Sequence, residues 1–436
     1  MNASEFTRRR RQLMRMIGRG GVGILPAAPA KLRNRDVEYP YRQDSDFYYV
    51  TGFHEPESIA VLAPGRPQGE YVLFCRDRDP QREAWDGTRA GPERAVAEFG
   101  ASDAFPISDV DDILPGILEQ AERVYYTMGA NPEFDTRLIG WVTALRNRGS
   151  PGTHAPDAFI GLEHMLHDQR LYKSRAELGC LRRSVAVAVG AHRRAMARCR
   201  PGLYEYEIEA EFLHEFRRNG LHPSYLPIVG SGPNACVLHY SANNRRMQDG
   251  DLLLVDAGCE SDCYASDITR TWPVSGRFTP EQRAIYEVVL EAQGAALRAI
   301  APGNHWNEPH DAAVGAIIRG LRRLGILEGT PAAIARNGDY RRFFMHRTGH
   351  WLGMDVHDVG DYKVGDQWRL LEPGMVMTVE PGIYIPPGTR GVARRWQGIG
   401  VRIEDDVLVT RGGIEVLSRN LPREPEEIEA LVGTAA

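Results

Sequence analysis

Leu252-Leu253-Leu254-Val255-Asp256-Ala257-Gly258 and Val376-Met377-Thr378-Val379-Glu380-Pro381-Gly382 share one pattern: four strand-forming residues, an acid, a small or rigid residue, and a glycine. The offset that carries Gly250 onto Gly374 also carries Val255 onto Val379, Asp256 onto Glu380 and Gly258 onto Gly382. A second echo lies upstream. Pro201-Gly202 and Pro302-Gly303 each follow a helical stretch and precede another, ending near Gly220 and Gly325. Two copies of helices followed by an acid-bearing strand predict two pseudo-symmetric halves, with the acids facing each other across the middle.

Three further residues extend this acidic set. Asp267 opens Ile268-Thr269-Arg270-Thr271, which reads as the return strand of a hairpin, and Glu404 follows Val401-Arg402-Ile403. His350 lies in a loop with His346 and His357, punctuated by glycines at 349, 353 and 360. Each acid alone reads as a strand cap or a surface ion-pair partner. Together they pose a charge problem, because an acid at the end of a core strand is costly to desolvate without a compensating cation, and four converging carboxylates do not stay ionised together unaided. Two Asp and two Glu match the charge of two divalent cations. Four carboxylates and one imidazole form a hard, oxygen-rich set that suits Mn²⁺ better than a thiolate-bound structural metal. Paired ions about 3.5–4 Å apart are the usual arrangement for activating water at neutral pH. Arg402, two residues before Glu404, should face the same side of its strand and neutralise the cluster or touch substrate.

Composition sets the frame. The chain has 436 residues, long enough for two domains, with 42% hydrophobic and 25% charged residues, as in an ordinary globular protein. A formal charge of −5, from 53 basic and 58 acidic residues, argues against a nucleic-acid binder. The six cysteines show no paired spacing, which fits a reduced cytoplasmic protein. No apolar run is long enough to span a membrane. Arg8 to Arg11 lack the apolar core of a secretory signal and read as the solvated face of an N-terminal helix. Gly149-Ser150-Pro151-Gly152 and Pro156 form a breaker-rich connection, after which Ser174-x-x-Glu177 reads as a capping box opening a long helix to Cys199. The expected domains are therefore 1–172, a smaller mixed α/β unit, and 173–436, which carries the acids. His239, in Val237-Leu238-His239-Tyr240, reads as a histidine on an apolar strand near Asp256.

Val255-Asp256-Ala257-Gly258, Ser266-Asp267-Ile268-Thr269-Arg270-Thr271, His346-x₃-His350-Trp351-Leu352-Gly353, Glu372-Pro373-Gly374-Met375, Thr378-Val379-Glu380-Pro381-Gly382 and Arg402-Ile403-Glu404-Asp405 resemble the bacterial Xaa-Pro aminopeptidases (aminopeptidase P). These are pita-bread metallopeptidases, with prolidase, methionine aminopeptidase and creatinase. The resemblance runs over nearly the whole chain and includes Glu38-Tyr39-Pro40-Tyr41-Arg42-Gln43-Asp44-Ser45-Asp46-Phe47, which the shorter methionine aminopeptidases lack. It implies an α/β (α+β) protein with a C-terminal pita-bread catalytic domain, and a dinuclear Mn²⁺ hydrolase that removes the residue before proline from peptide N-termini through a metal-bridging hydroxide. By family pattern Asp256 would bind one ion, His350 and Glu380 the other, and Asp267 and Glu404 would bridge. Glu380 would also take a proton from the water. His239 and His357 would contact the scissile group, with Arg402 and Tyr384 beside the substrate pocket and His350 at its edge.

Trp85-Asp86-Gly87 is similar to a Trp-x-Gly element that in the family reaches a neighbouring subunit's active site, so Trp85 is a candidate substrate contact and the chain an expected homodimer or homotetramer. Arg347-Thr348-Gly349 is more similar to the prolidase version of its loop. Prolidase, which cleaves only Xaa-Pro dipeptides, is therefore the alternative activity. A pita-bread module that has lost catalysis and serves as a binding protein is a third reading.

Overall fold

The computed structural model describes residues 1–148 and 154–435. The stretch Gly149-Ser150-Pro151-Gly152, expected to connect the domains, lies outside the described residues. The chain divides into two compact units, Met1–Gln169 and Arg170–Ala436.

In the N-terminal unit a six-stranded sheet runs in the order Asp103–Pro106, Tyr71–Cys75, Ile59–Leu62, Gly21–Pro26, Arg123–Tyr125, Ala158–Ile160. Its three central strands are antiparallel, and the flanking pairs are parallel. Val22, Ile24, Val61, Val72 and Phe74 pack against Val110, Leu114 and Leu118 from one helix and Leu138 and Val142 from another. One expectation fails here. Arg9 and Arg10, on the helix Ala3–Ile17, are buried rather than solvated. The Arg9 guanidinium donates to the Tyr49 carbonyl (3.1 Å) and lies 3.9 Å from the Tyr49 ring centre; Arg10 donates to Val50 O (3.0 Å) and lies 4.3 Å from the Tyr71 ring. Guanidinium is weakly hydrated and flat, so carbonyls and aromatic faces can replace its water.

In the C-terminal unit the helix Arg175–Arg198 starts from the full Ser174/Glu177 capping box, a device that stabilises a helix start by about 1 kcal/mol. It buries Leu181, Val185, Ala188, His192 and Ala195, one stripe at helical spacing. After the helix Glu205–Arg218 comes an antiparallel sheet of Ile228–Ser231, Leu252–Asp256 and Thr269–Pro273. The second half repeats the scheme: helices Pro280–Ala299 and Glu308–Arg323, then strands Val376–Val379, Asp405–Thr410 and Gly413–Val416. A further pair, Gly382–Ile385 with Ile399–Arg402, completes this half. The halves are stitched where Thr269–Pro273 meets the end of Ile399–Arg402. There Glu404 N donates to Thr269 O (3.0 Å) and the Thr271 hydroxyl donates to Arg402 O (3.0 Å).

The histidine loop behaves as one more strand of the second half. Leu352 N donates to Val376 O (3.0 Å), Thr378 N to His350 O (2.9 Å) and Glu380 N to Thr348 O (2.7 Å). That ladder seats His350 beside Glu380. It depends on Gly349, where a Cβ would stand 2.0 Å from the Thr378 carbonyl oxygen. The expected outcome of Gly349→Ala is a soluble protein whose loop is pushed off the strand and whose divalent-metal content falls; elemental analysis of the purified variant at wild-type metal stoichiometry would contradict this.

Candidate metal centre

Asp256 ends the middle strand of the first sheet, and Thr269, its cross-strand partner, follows Asp267 by two residues. Glu380 follows the strand Val376–Val379, whose Val379 pairs with Asp405, the neighbour of Glu404. Each half therefore delivers two acids from adjacent strand ends. Ligand atoms of Asp267, His350 and Glu404 lie within 4.8 Å of one another. His350 Nδ1 is turned to the Trp351 carbonyl (2.9 Å), which leaves Nε2 facing the acids, 3.3 Å from Asp267 Oδ2 and 3.6 Å from Glu380 Oε1. Arg402 donates to Asp256 Oδ2 (2.6 Å), to the Tyr384 hydroxyl (3.1 Å) and to the Thr269 hydroxyl (3.0 Å), and Thr269 in turn donates to Glu404 Oε2 (2.6 Å).

The electrostatics follow from burial. Burial pushes the Glu380 carboxyl up to about 7, with Asp267 and Asp256 adding to the rise against the pull of His350 and Arg402. Glu404 is held well above the usual carboxylate range by burial and by Asp267, Glu380 and Asp256. Asp256 is raised, again first by burial, with Arg402 opposing. Asp267 differs: burial pushes it up, but its bond to His350 prevails and it sits low. Burial would lower His350, yet Asp267 and Glu380 lift it to about 9. The cluster holds more negative charge than Arg402 and His350 can balance. Hard oxygen donors with a single inward imidazole nitrogen fit divalent cations, so the donor set suits a divalent metal.

These residues floor a cavity of about 730 Å³, lined also by His239, His346, Arg347, His357, Trp306, Tyr362 and Trp368. His357 meets the His350 ring edge-on, centroids 4.3 Å apart. Three expectations need correction or placement. Val237–Tyr240 is a turn after a short 3-10 helix, not a strand, and His239 reaches the cavity from that exposed turn. Tyr384 is fully buried and does not line the cavity. From behind the wall its hydroxyl holds two lining residues, lying 2.9 Å from His346 Nε2 and 3.1 Å from Arg402. Trp85 stands 89% exposed on a helix of the N-terminal unit.

The structure adds a residue that the sequence did not mark. The Tyr225 hydroxyl lies 2.5 Å from Asp256 Oδ1 and 2.7 Å from Asp267 Oδ1, bridging the two aspartates. Tyr225 sits in an irregular stretch between two strands, with no periodicity to announce it. Trp306, Tyr362 and Trp368 were equally silent, although a tryptophan near a histidine loop is a weak signal of an aromatic wall.

The model of metallopeptidase family M24 matches residues 179–411, and that of the aminopeptidase P N-terminal domain matches residues 6–125. The chain belongs to metallopeptidase family M24. It is 44% identical to an Xaa-Pro aminopeptidase of Escherichia coli (strain K12), covering 100% of this chain and 99% of that relative. A Haemophilus influenzae Xaa-Pro aminopeptidase is 41% identical over 98% of this chain and 97% of its own length. Among solved structures, Pseudomonas aeruginosa aminopeptidase PepP superposes with a TM-score of 0.98 at 59% identity, covering 99% of this chain and 98% of that one. A variant Escherichia coli aminopeptidase P solved with substrate gives a TM-score of 0.96 at 44% identity, covering 99% and 98%. The fold is thus the N-terminal domain and pita-bread pair that the motifs implied.

The charge imbalance carries a pH signature. In metal-free protein Glu380 titrates near 7 against an ordinary 4.5, and His350 near 9 against 6.5. Both folded values are raised, so the stability linked to their protons is present below the unfolded values and is lost as pH rises through the folded ones. The expected result is a Tm for the metal-stripped protein that falls between about pH 5 and pH 9, with a stabilisation by added divalent ion that grows over the same window. A Tm of the stripped protein that stays flat or rises across that window would contradict the raised values.

Proposed function

We propose that this chain is an Xaa-Pro aminopeptidase: it hydrolyses the first peptide bond of peptides with proline in second position and releases the N-terminal amino acid. The observation that carries the reading is the convergence of four carboxylates and one imidazole Nε2 on the floor of an open cavity. Full-length identity of 44% to an Xaa-Pro aminopeptidase supports the substrate class. We assign Asp256, Asp267, His350, Glu380 and Glu404 as the residues that would hold two divalent ions, Mn²⁺ by the hardness of the donors. Such ions, when bound, lower the pKa of water to about 7 and polarise a carbonyl.

The chain's own residues do the rest. The ions and carboxylates of the floor can take up the substrate's free amine, whereas an acetylated terminus presents neither a lone pair nor a charge to them. Glu380, partly open to the cavity, is placed to take a proton. His239 and His357 offer ring N–H groups to the scissile carbonyl and to the departing proline nitrogen. Arg402 orients Asp256 and opposes the rise that burial imposes on it, and Tyr384 and Thr269 hold that guanidinium still. An Xaa-Pro bond lacks the amide N–H that strand-like clamping would use, so proline is read by shape against Leu238, His239 and His346. An alanine in its place would bring a buried N–H without a partner, costing roughly 1–3 kcal/mol.

One observation favours prolidase as a second reading: Arg347 lines the cavity, where a cation suits the carboxylate of a dipeptide. Among the described residues the six cysteines form no disulfide, which fits the reducing cytoplasm. We also read the chain as a homodimer or homotetramer in which Trp85 of one copy reaches the cavity of another.

His350→Ala is expected to lose metal, whereas His239→Ala and His357→Ala keep it and lose roughly 10²–10³ in kcat; equal metal loss in all three would remove the distinction between ligand and substrate contact. Kinetics on Xaa-Pro-Xaa, its N-acetyl and Xaa-Ala-Xaa forms, and Xaa-Pro test the function. The tripeptide should be turned over, the acetylated form refused and the alanine form cleaved about 10-fold to 10²-fold more slowly. Refusal of every tripeptide with turnover of the dipeptide would establish prolidase instead.

A further inference from the structure

His357 is placed by something outside the metal centre. Among the described residues its ring makes no hydrogen bond, and the loop that carries it has no helix or strand between 352 and 362. The next residue, Asp358, points the other way, into a buried cluster of charge. Its carboxylate accepts from Lys173 Nζ (2.9 Å) and from Arg170 Nη2 (2.6 Å), and the three side chains are only 1–2% exposed. Arg170 also reaches Asp355 Oδ2 at 2.7 Å. Backbone groups close the loop around this cluster: Asp358 N donates to Trp351 O (2.9 Å), and Asp355 N to Asp358 Oδ1 (3.3 Å). Gly353 leaves room for it, since a Cβ there would stand 2.0 Å from Asp358 Oδ2.

The cluster is also tied to the metal floor. Lys173 N donates to the carbonyl of Gly374 (2.9 Å), just before the strand Val376–Val379 that Glu380 follows. A buried carboxylate between two cations has few other places to go, because moving it would strand charge in a low-dielectric interior. Its backbone is therefore fixed, and so is the direction in which the adjacent side chain leaves it.

We propose that Asp358, clamped by Lys173 and Arg170, is the positioning residue for His357 and sets the angle at which that imidazole meets the substrate. The inference rests on the aminopeptidase reading for the role of His357, and the assay separates the two. Asp358→Asn keeps the shape and removes the charge. With Xaa-Pro-Xaa as substrate, kcat is expected to fall about 10-fold to 10²-fold, as for other residues that orient a reacting group, with KM and metal content unchanged. In a His357→Ala background the same substitution should leave kcat where His357→Ala alone put it, because the group it positions is gone.

Asp358→Asn leaves Lys173 short of its partner, so the charge-paired Asp358→Asn with Lys173→Met is measured alongside and carries the same comparison if the single variant does not fold. Wild-type kcat in Asp358→Asn, an equal further loss in the His357→Ala background, metal lost together with rate, or failure of both variants to fold would each overturn the proposal. Wild-type protein inert toward every Xaa-Pro peptide would overturn the activity reading and take this one with it; wild-type turnover with Asp358→Asn unaffected would overturn this one alone.

Discussion

Four carboxylates held out of water within reach of each other set the terms for the C-terminal unit. Removing one ion from water in a protein interior costs several kcal/mol even after relaxation. The protein offsets part of that with Arg402 on Asp256, the His350 imidazole on Asp267, and the Tyr225 hydroxyl between the two aspartates. Glu380 shares the His350 imidazole with Asp267 (3.6 Å), Glu404 accepts from the neutral Thr269 hydroxyl, and both carboxyls titrate above the usual carboxylate range. A site built this way is high in energy until divalent charge arrives, and that unpaid balance is what gives it affinity for metal.

The surrounding structure keeps the acids from relaxing apart. Arg270 sits beneath the seam between the halves, fully buried, and donates to the Glu404 carbonyl (2.6 Å) and to Asp405 Oδ1 (2.7 Å). Ser418 and Gln293 satisfy the rest of the Asp405 carboxylate. Severing a buried pair of this kind costs about 3–5 kcal/mol, so the strand end that carries Glu404 is anchored from behind. Lys173, Arg170 and Asp358 do the same for the histidine loop. Buried charge is thus unsatisfied at the cavity floor and paired in these two supports.

The cavity above that floor has two chemical sides. One is acidic and metal-facing; the other carries Trp306, Tyr362, Trp368 and Arg347, with Arg347 lying 5.0 Å from the Trp368 ring. A peptide whose free amine is taken up at the floor lays its chain along the apolar faces. Orientation is therefore set before any bond is strained, and this suits an exopeptidase better than an endopeptidase.

Local sequence was enough to find the acids. Strand-forming runs closed by Asp256 and Glu380, with a glycine two residues on, are short-range patterns, and their repetition foretold the two halves. The Ser174/Glu177 cap was legible for the same reason: its partners lie within one helical turn. What escaped the sequence depends on contacts between segments far apart in the chain. Tyr225 meets Asp256 and Asp267 only because an irregular segment is carried across the sheet; Arg9 and Arg10 are buried because carbonyls and rings some 40 residues away replace their water. Tyr384 lies behind the wall rather than in it, and His239 sits on a turn, because packing rather than periodicity decided which face each shows. Residue type and spacing determined which groups could bind metal; the tertiary structure decided which of them face one another, because burial and long-range hydrogen bonds are properties of the assembled chain.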